Sequence, residues 1–321
     1  MPRGFTFNVL DVDRFATREM YGKVLAELGQ INQDIVVLTA DLMRSNKTGD
    51  FAKVVPERFF NFGIAEQNMM AAAAGLAISG KIPYVSTYAA FASMRCCEQV
   101  RTDIAYPNLK VRIVSSHAGL SMGNGGTTHH ATEDIAIMRS LANMTVVVPA
   151  DANECAKAVI ESIDYPGPIY MRVGRGAEPI VYKTDYDFKI GRAVTVRDGQ
   201  DVTVIACGIA VMAAVKAARK LETEGVAVRV IDMHTIKPLD TEAILRAARE
   251  TGRILTVEEH TVIGGLGGAV AETIAEAGLG VRFHRLGLPD IYSTIGQPDD
   301  LYKRYGLDQD GVYRAIKELL A

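Results

Sequence analysis

Residue types able to do chemistry concentrate in three stretches of the first 130 residues. The first, FNFGIAEQNM (60–69), carries Glu66 through a Gly63-containing loop to the start of an Ala- and Met-rich helix. That helix is expected over 66–79, buried, with Gly80 as its C-cap. A carboxylate in this place can act as a buried proton partner, or it can cap the helix with help from the macrodipole; the residues alone leave both readings open. The second stretch, PYVSTYAAF (83–91), reads as a strand running into a loop, with Tyr88 and Phe91 three apart. Aromatics at that spacing are more often core than stacking partners for a flat ligand. The third, SSHAGLSMGNGGTTHH (115–130), follows a strand, and its glycines let backbone N–H groups approach an anion. It is neither a dinucleotide fingerprint nor a Walker A loop. His129-His130 invites a metal, but no further His or carboxylate completes a zinc set, so a polar ligand loop is the better reading.

Alternating elements must position these residues. A helix is expected over 14–28, strands over 35–40, 111–115, 145–148 and 168–172, and a helix over 154–163. Residues 177–192 lack periodicity, and the alternation restarts beyond them. Strands are expected over 201–207, 227–232, 253–258 and 281–286, and helices over 209–222, 241–250 and 264–276. Such alternation means βαβ units and largely parallel sheets. The fold class is therefore α/β with two doubly wound domains, 1–185 and 186–321, the boundary falling near Tyr186. Ligands are expected at the carboxyl ends of the strands.

Composition narrows the function classes. The chain has 321 residues, 48% hydrophobic and 23% charged, enough for two domains with cores of their own. A formal net charge of -3 offers no basic surface to nucleic acid or an anionic membrane. The longest apolar run, 69–78, is far short of the roughly 20 residues of a membrane span. The N-terminal residues show no apolar run followed by a cleavage site, so no signal peptide is expected. Cys96, Cys97, Cys155 and Cys207 form no CxxC or zinc spacing and read as free thiols in a reducing cytoplasm.

In combination the three stretches resemble the pyrimidine-binding and C-terminal domains of transketolase and deoxyxylulose-phosphate synthase. ADLMRSN (40–46) and VEEHTVIGGLGGAVAE (257–272) resemble further pieces of the same enzymes, so the likeness covers nearly the whole chain. It implies the pyrimidine-activating half of a split transketolase dependent on thiamine diphosphate. Glu66 matches the glutamate that bonds the N1′ atom of the cofactor's aminopyrimidine, a task that needs a carboxyl in a dry pocket. Tyr88 and Phe91 match the aromatics lining the aminopyrimidine pocket, with Phe91 the stacking ring; Asp41, in the ADLMRSN segment, is also expected to bind cofactor. Arg18, Ser45, His117 and Arg172 match the residues holding a substrate phosphate, and His129 matches a catalytic histidine in the substrate channel.

Two departures qualify the likeness. An aspartate that recognises a sugar hydroxyl usually stands four residues before the channel histidine, and this chain has Gly125. Glycine should open space beside the reacting carbons and favour an unusual ketose or acceptor, branched sugars included. The GDG…N motif that holds Mg²⁺ and the diphosphate is also missing. The Mg²⁺ ligands are therefore expected from a partner N-terminal subunit, in an α2β2 heterotetramer acting on sugar phosphates. The alternatives are the β subunit of a 2-oxoacid dehydrogenase E1 component, which would have no sugar phosphate to hold, and a non-catalytic regulatory subunit, against which the retained Glu66 and Phe91 argue.

Overall fold

The computed structural model describes residues 10–321; the first nine residues of the segment read for a signal peptide lie outside it. The first sheet has seven strands in the spatial order Thr235–Lys237, Thr145–Val147, Ile169–Arg172, Arg112–Ser116, Ile82–Tyr88, Ile35–Thr39 and Phe59–Asn61. All neighbours are parallel except the Thr235–Lys237 edge. Its central strands are buried along their whole length, as β-branched runs covered on both faces should be. The Thr17–Ile31 and Ala152–Ser162 helices cover one face through Met20, Val24, Leu28, Cys155 and Val159. Glu66–Ile78 covers the other through Met69, Met70, Ala73 and Ala74.

The second sheet orders Arg282–Leu288, Arg253–Thr261, Val202–Ala206, Val228–Asp232 and Val194–Arg197, antiparallel only at the last. Both halves are thus the expected doubly wound α/β layers with mostly parallel sheets. Three local features differ from the sequence reading. The Glu66–Ile78 helix buries one face only, and Ile78 on the other is 73% exposed. Alanines read as apolar all round, but only those at helical spacing reach the sheet. Thr235–Lys237, from the second half of the chain, pairs with Thr145–Val147 and closes the edge of the first sheet. Helices Pro298–Arg304 and Gln309–Leu320 also form, the latter capped by the Asp308 carboxylate, which accepts from the Gly311 N–H. We propose the domain boundary near Tyr186, whose ring stacks on Tyr182 and whose hydroxyl donates to Glu154.

Strand order reverses beside Ile35–Thr39, which has Phe59–Asn61 on one side and Ile82–Tyr88 on the other. A crevice opens at such a reversal, outside the carboxyl ends of the strands.

Candidate active site

Five neighbouring strands each deliver a chemical group just beyond their carboxyl ends. Read across the sheet they are Arg175 after Ile169–Arg172, His117 after Arg112–Ser116, Tyr88 and Phe91 at the end of Ile82–Tyr88, Asp41 and Ser45 after Ile35–Thr39, and Glu66 after Phe59–Asn61. Asp41 and His117 take up left-handed backbone, φ 57° and 58°, immediately past their strands. That conformation costs a non-glycine residue about 1 kcal/mol or more and tends to persist where function requires it.

Glu66 is the first residue of its helix and only 3% exposed. Its Oε1 accepts from Arg95 Nη1 at 2.7 Å. The Arg95 guanidinium in turn lies 4.0 Å from the centroid of the Phe91 ring. Phe91 and Arg95 belong to one widened turn, in which the Cys96 N–H bonds the Phe91 carbonyl five residues back. Single wide turns of this kind recur at functional sites. This one places a flat aromatic face beside a buried, ion-paired carboxylate. Asn61 joins the two neighbouring loops, its Oδ1 accepting from the Asp41 and Gly63 N–H groups at 2.9 and 3.1 Å.

Tyr88 stands at the middle of the row. Its ring centroid lies 5.6 Å from Phe91, 4.2 Å from His117 and 6.4 Å from His129. His129 also meets Phe91 edge-on at 5.4 Å. The Tyr88 hydroxyl donates to Ser45 Oγ at 3.1 Å, and Arg18 Nη1 donates to the Ser45 carbonyl at 2.8 Å. Burial, reinforced by the positive charges of Arg18 and Arg175, pushes the His117 imidazole down to about 3, so it is neutral at physiological pH. Its Nδ1 contacts Ser116 Oγ at 2.7 Å, and that hydroxyl also bonds the Asn46 amide at 2.6 Å. Two guanidiniums facing a neutral imidazole make a pocket that an anion would stabilise.

The structure therefore gathers Glu66, Tyr88, Phe91, His129, Arg18, Ser45 and His117, with Asp41 on the adjoining turn. It does not bring Arg172 to them. Arg172 is 5% exposed and ends its strand inside the sheet. Its Nε donates to Asp134 Oδ2 at 2.9 Å, its Nη1 to Glu259 Oε2 at 3.3 Å, and its Nη2 to the Ala131 and Glu259 carbonyls at 3.1 and 2.8 Å. Burial works against its charge, but Asp134 and Glu259 outweigh that and hold it protonated beyond the ordinary arginine value. Arg172 thus ties the two halves of the chain together. Arg175, three residues on, is exposed, its positive charge reaches His117, and its Nη1 donates to the Met122 carbonyl at 3.0 Å. Arg175 was legible in principle, because ligands gather beyond strand ends and Arg172 still belongs to the strand. Arg95, Asn46 and Met122 carried no such signal.

Gly125 also requires correction. A Cβ there would meet the Met122 side chain at 2.4 to 3.0 Å. The volume expected to stand open is filled by a thioether. His130 points into the protein, as described below, and among the described residues no group of three or more His, Cys, Asp or Glu side chains could hold a metal.

The fold and site together define a protein of the transketolase class. The family description "Transketolase, pyrimidine binding domain" matches residues 13–179, and "Transketolase, C-terminal domain" matches 191–312. The chain is 43% identical over 306 residues to a subunit of the apulose-4-phosphate transketolase of Phocaeicola vulgatus, covering 95% of this chain and 97% of that one. It is 39% identical over 302 residues to a 6-deoxy-6-sulfo-D-fructose transketolase subunit of a Clostridium species, covering 94% of both. A solved structure described as a split gene transketolase, inactive beta4 tetramer, superposes with a TM-score of 0.87 at 48% identity, over 95% of this chain and 98% of that one. The chain belongs to the transketolase family. Within it, the chain corresponds to the C-terminal subunit of the split enzymes.

Proposed function

We propose that this chain works with a diphosphate-binding N-terminal subunit as a thiamine-diphosphate-dependent transketolase, moving a two-carbon ketol unit between sugars that end in an anionic group. One observation carries the reading: a single row of strand ends has a buried carboxylate beside an aromatic face at one end and a two-arginine pocket at the other. Residues of this chain fit half of the cofactor. Phe91, with Tyr88 behind it, offers the face for the aminopyrimidine, and Glu66 offers the carboxyl for a ring nitrogen. When bound, the cofactor supplies the nucleophilic carbon that takes up the two-carbon unit.

Glu66 holds a proton at the pyrimidine nitrogen, and Arg95 fixes the carboxylate rotamer through the 2.7 Å pair. Arg18, Ser45, His117 and Arg175 bind the anionic end of the sugar and so set its reach toward the reacting carbons. His129, packed against Tyr88 and Phe91, donates to or accepts from the sugar oxygens nearest the cofactor. Diphosphate and Mg²⁺ are assigned to the partner, in an α2β2 complex in the cytoplasm, where four free thiols fit a reducing environment. Two relatives support an anionic substrate, one named for a sugar phosphate and the other for a sulfosugar. The inactive state of the solved beta4 relative supports the need for a second kind of chain. A 2-oxoacid would leave the two-arginine pocket unused.

The test is co-expression with a candidate N-terminal chain that carries the GDG…N motif and a screen of phosphorylated, sulfonated and free sugars. Turnover by the complex alone, confined to anionic sugars, is expected. Turnover by this chain without its partner, or equal use of free sugars, would defeat the reading.

A further inference from the structure

The loop of residues 119–130 carries His129 and Gly125, and its Met122 carbonyl anchors Arg175. Gly123 and Gly126 both stand at positive φ, 60° and 83°, where glycine is at its most permissive. Short turns within the loop, such as the Gly126 N–H on the Gly123 carbonyl and the His129 N–H on the Gly126 carbonyl, are joined by anchors from the other half of the chain. Glu259 Oε1 accepts from the Leu120 and Ser121 N–H groups at 2.8 and 3.1 Å. Thr127 Oγ1 donates to the Ser293 carbonyl. Ile295 lies against Gly126 and Pro298 against Gly123, each close enough to crowd any added Cβ.

His130 closes this arrangement. It is 3% exposed, and both ring nitrogens are engaged. Nε2 lies 2.9 Å from the Gly123 carbonyl and Nδ1 lies 2.5 Å from Ser293 Oγ. A carbonyl can only accept, so Nε2 carries the hydrogen, and Nδ1 accepts from the serine hydroxyl. The ring thus spans from a serine of the second half to a carbonyl in the middle of the loop, one residue from His129.

We propose that His130 and Ser293 form a latch between the two halves that positions the channel loop, so that the second domain sets the placement of His129 and, through the Met122 carbonyl, of Arg175. Both are positioning residues, and the inference rests on the transketolase reading for its kinetic consequence only.

The test uses Ser293→Ala, His130→Ala and His130→Gln. Glutamine keeps an N–H donor able to reach the Gly123 carbonyl. Hydrogen exchange of the 119–130 amides is measured on the chain itself, and kcat and KM for a phosphorylated donor on the reconstituted complex. Exchange should rise about tenfold in Ser293→Ala, roughly the loss of one net hydrogen bond. It should rise further in His130→Ala and fall back in His130→Gln. KM should rise several-fold while thiamine diphosphate affinity and melting temperature stay near wild type. Unchanged exchange in both alanine variants overturns the latch. A drop in melting temperature with KM unaltered in the folded fraction also overturns it, because that is plain structural support. A wild-type complex that turns over no anionic sugar while the loop still loosens in the variants defeats the proposed function and leaves the latch standing.

Discussion

Two arginines three residues apart end up in opposite situations. Arg172 sits in the seam between the halves, where Asp134, Glu259 and two carbonyls take up its donors. Arg175 sits at the mouth of the crevice, with Arg18 for a neighbour, a neutral imidazole opposite, and one bond to a loop carbonyl. The same side chain is a structural tie when its donors are committed to the protein, and is left available to an anion when they face solvent and like charge. The seam should therefore answer mutation with loss of stability, and the mouth with loss of activity.

The largest effect expected is at Glu66, which is buried at the far end of the same row of strand ends and counts with the mouth as a group for chemistry rather than a structural tie. Glu66→Gln keeps the size and a hydrogen bond but cannot exchange a proton, and should lower kcat of the reconstituted complex by about 10²- to 10⁴-fold with the fold intact. Retention of more than half the wild-type rate would make Glu66 a helix cap and move it to the structural side of the comparison.

Arg172→Ala and Arg175→Ala test the contrast head on. Removing Arg172 strands two buried carboxylates and should cost about 3–5 kcal/mol in denaturant unfolding. Removing Arg175 should leave the melting temperature within a few degrees and raise KM for an anionic sugar on the order of ten- to a hundredfold, with little change for its free counterpart. If Arg172→Ala were stable and lost only sugar-phosphate affinity, the assignment of the two arginines would have to be exchanged.

Gly125 and Met122 sharpen the picture of the mouth. Because the thioether occupies the place of a side chain at 125, Gly125→Asp alone should lower activity with every sugar. Paired with Met122→Ala it should gain kcat/KM on common pentose phosphates by about tenfold, since a sugar hydroxyl then finds an acceptor. Equal losses in the single and the double variant, measured on xylulose 5-phosphate and ribose 5-phosphate, would deny this loop a role in specificity.

The smallest effect belongs to Glu178, which lies between the two regions. Burial pushes its carboxyl up to about 8, a Thr17 hydrogen bond opposes the shift, and the Glu259 charge adds to it. A folded pKa above the unfolded value of about 4.3 means that the contribution is complete at acid pH and is lost as pH rises through about 8. Glu178→Gln cannot ionise, so its stability relative to wild type should improve steadily as pH rises from 5 to about 8 and then level off. A constant difference across that range in pH-dependent melting would mean that Glu178 is ionised in the folded protein.

The sequence by itself determined the local elements and the types of group available for chemistry. Alternating β-branched runs and amphipathic helices announce two mostly parallel sheets, and side-chain periodicity is a local property that needs no partner. The motif GIAEQ put Glu66 at a helix start, and the aromatics at 88 and 91 fell at a strand end, because strand, turn and cap are written within a few residues. What lies across the chain was decided only in three dimensions. No local signal says that Thr235–Lys237 returns to the first sheet, that Met122 covers Gly125, that Arg95 pairs with Glu66, or that Ser293 reaches His130 from 163 residues away. Residue type alone could not separate Arg172 from Arg175, and the place of Arg175 beyond the strand end was only a partial signal. Their difference is whether a carboxylate from a distant element has already taken the donors, and only tertiary packing brings Asp134 and Glu259 to one of them and leaves the other facing the crevice.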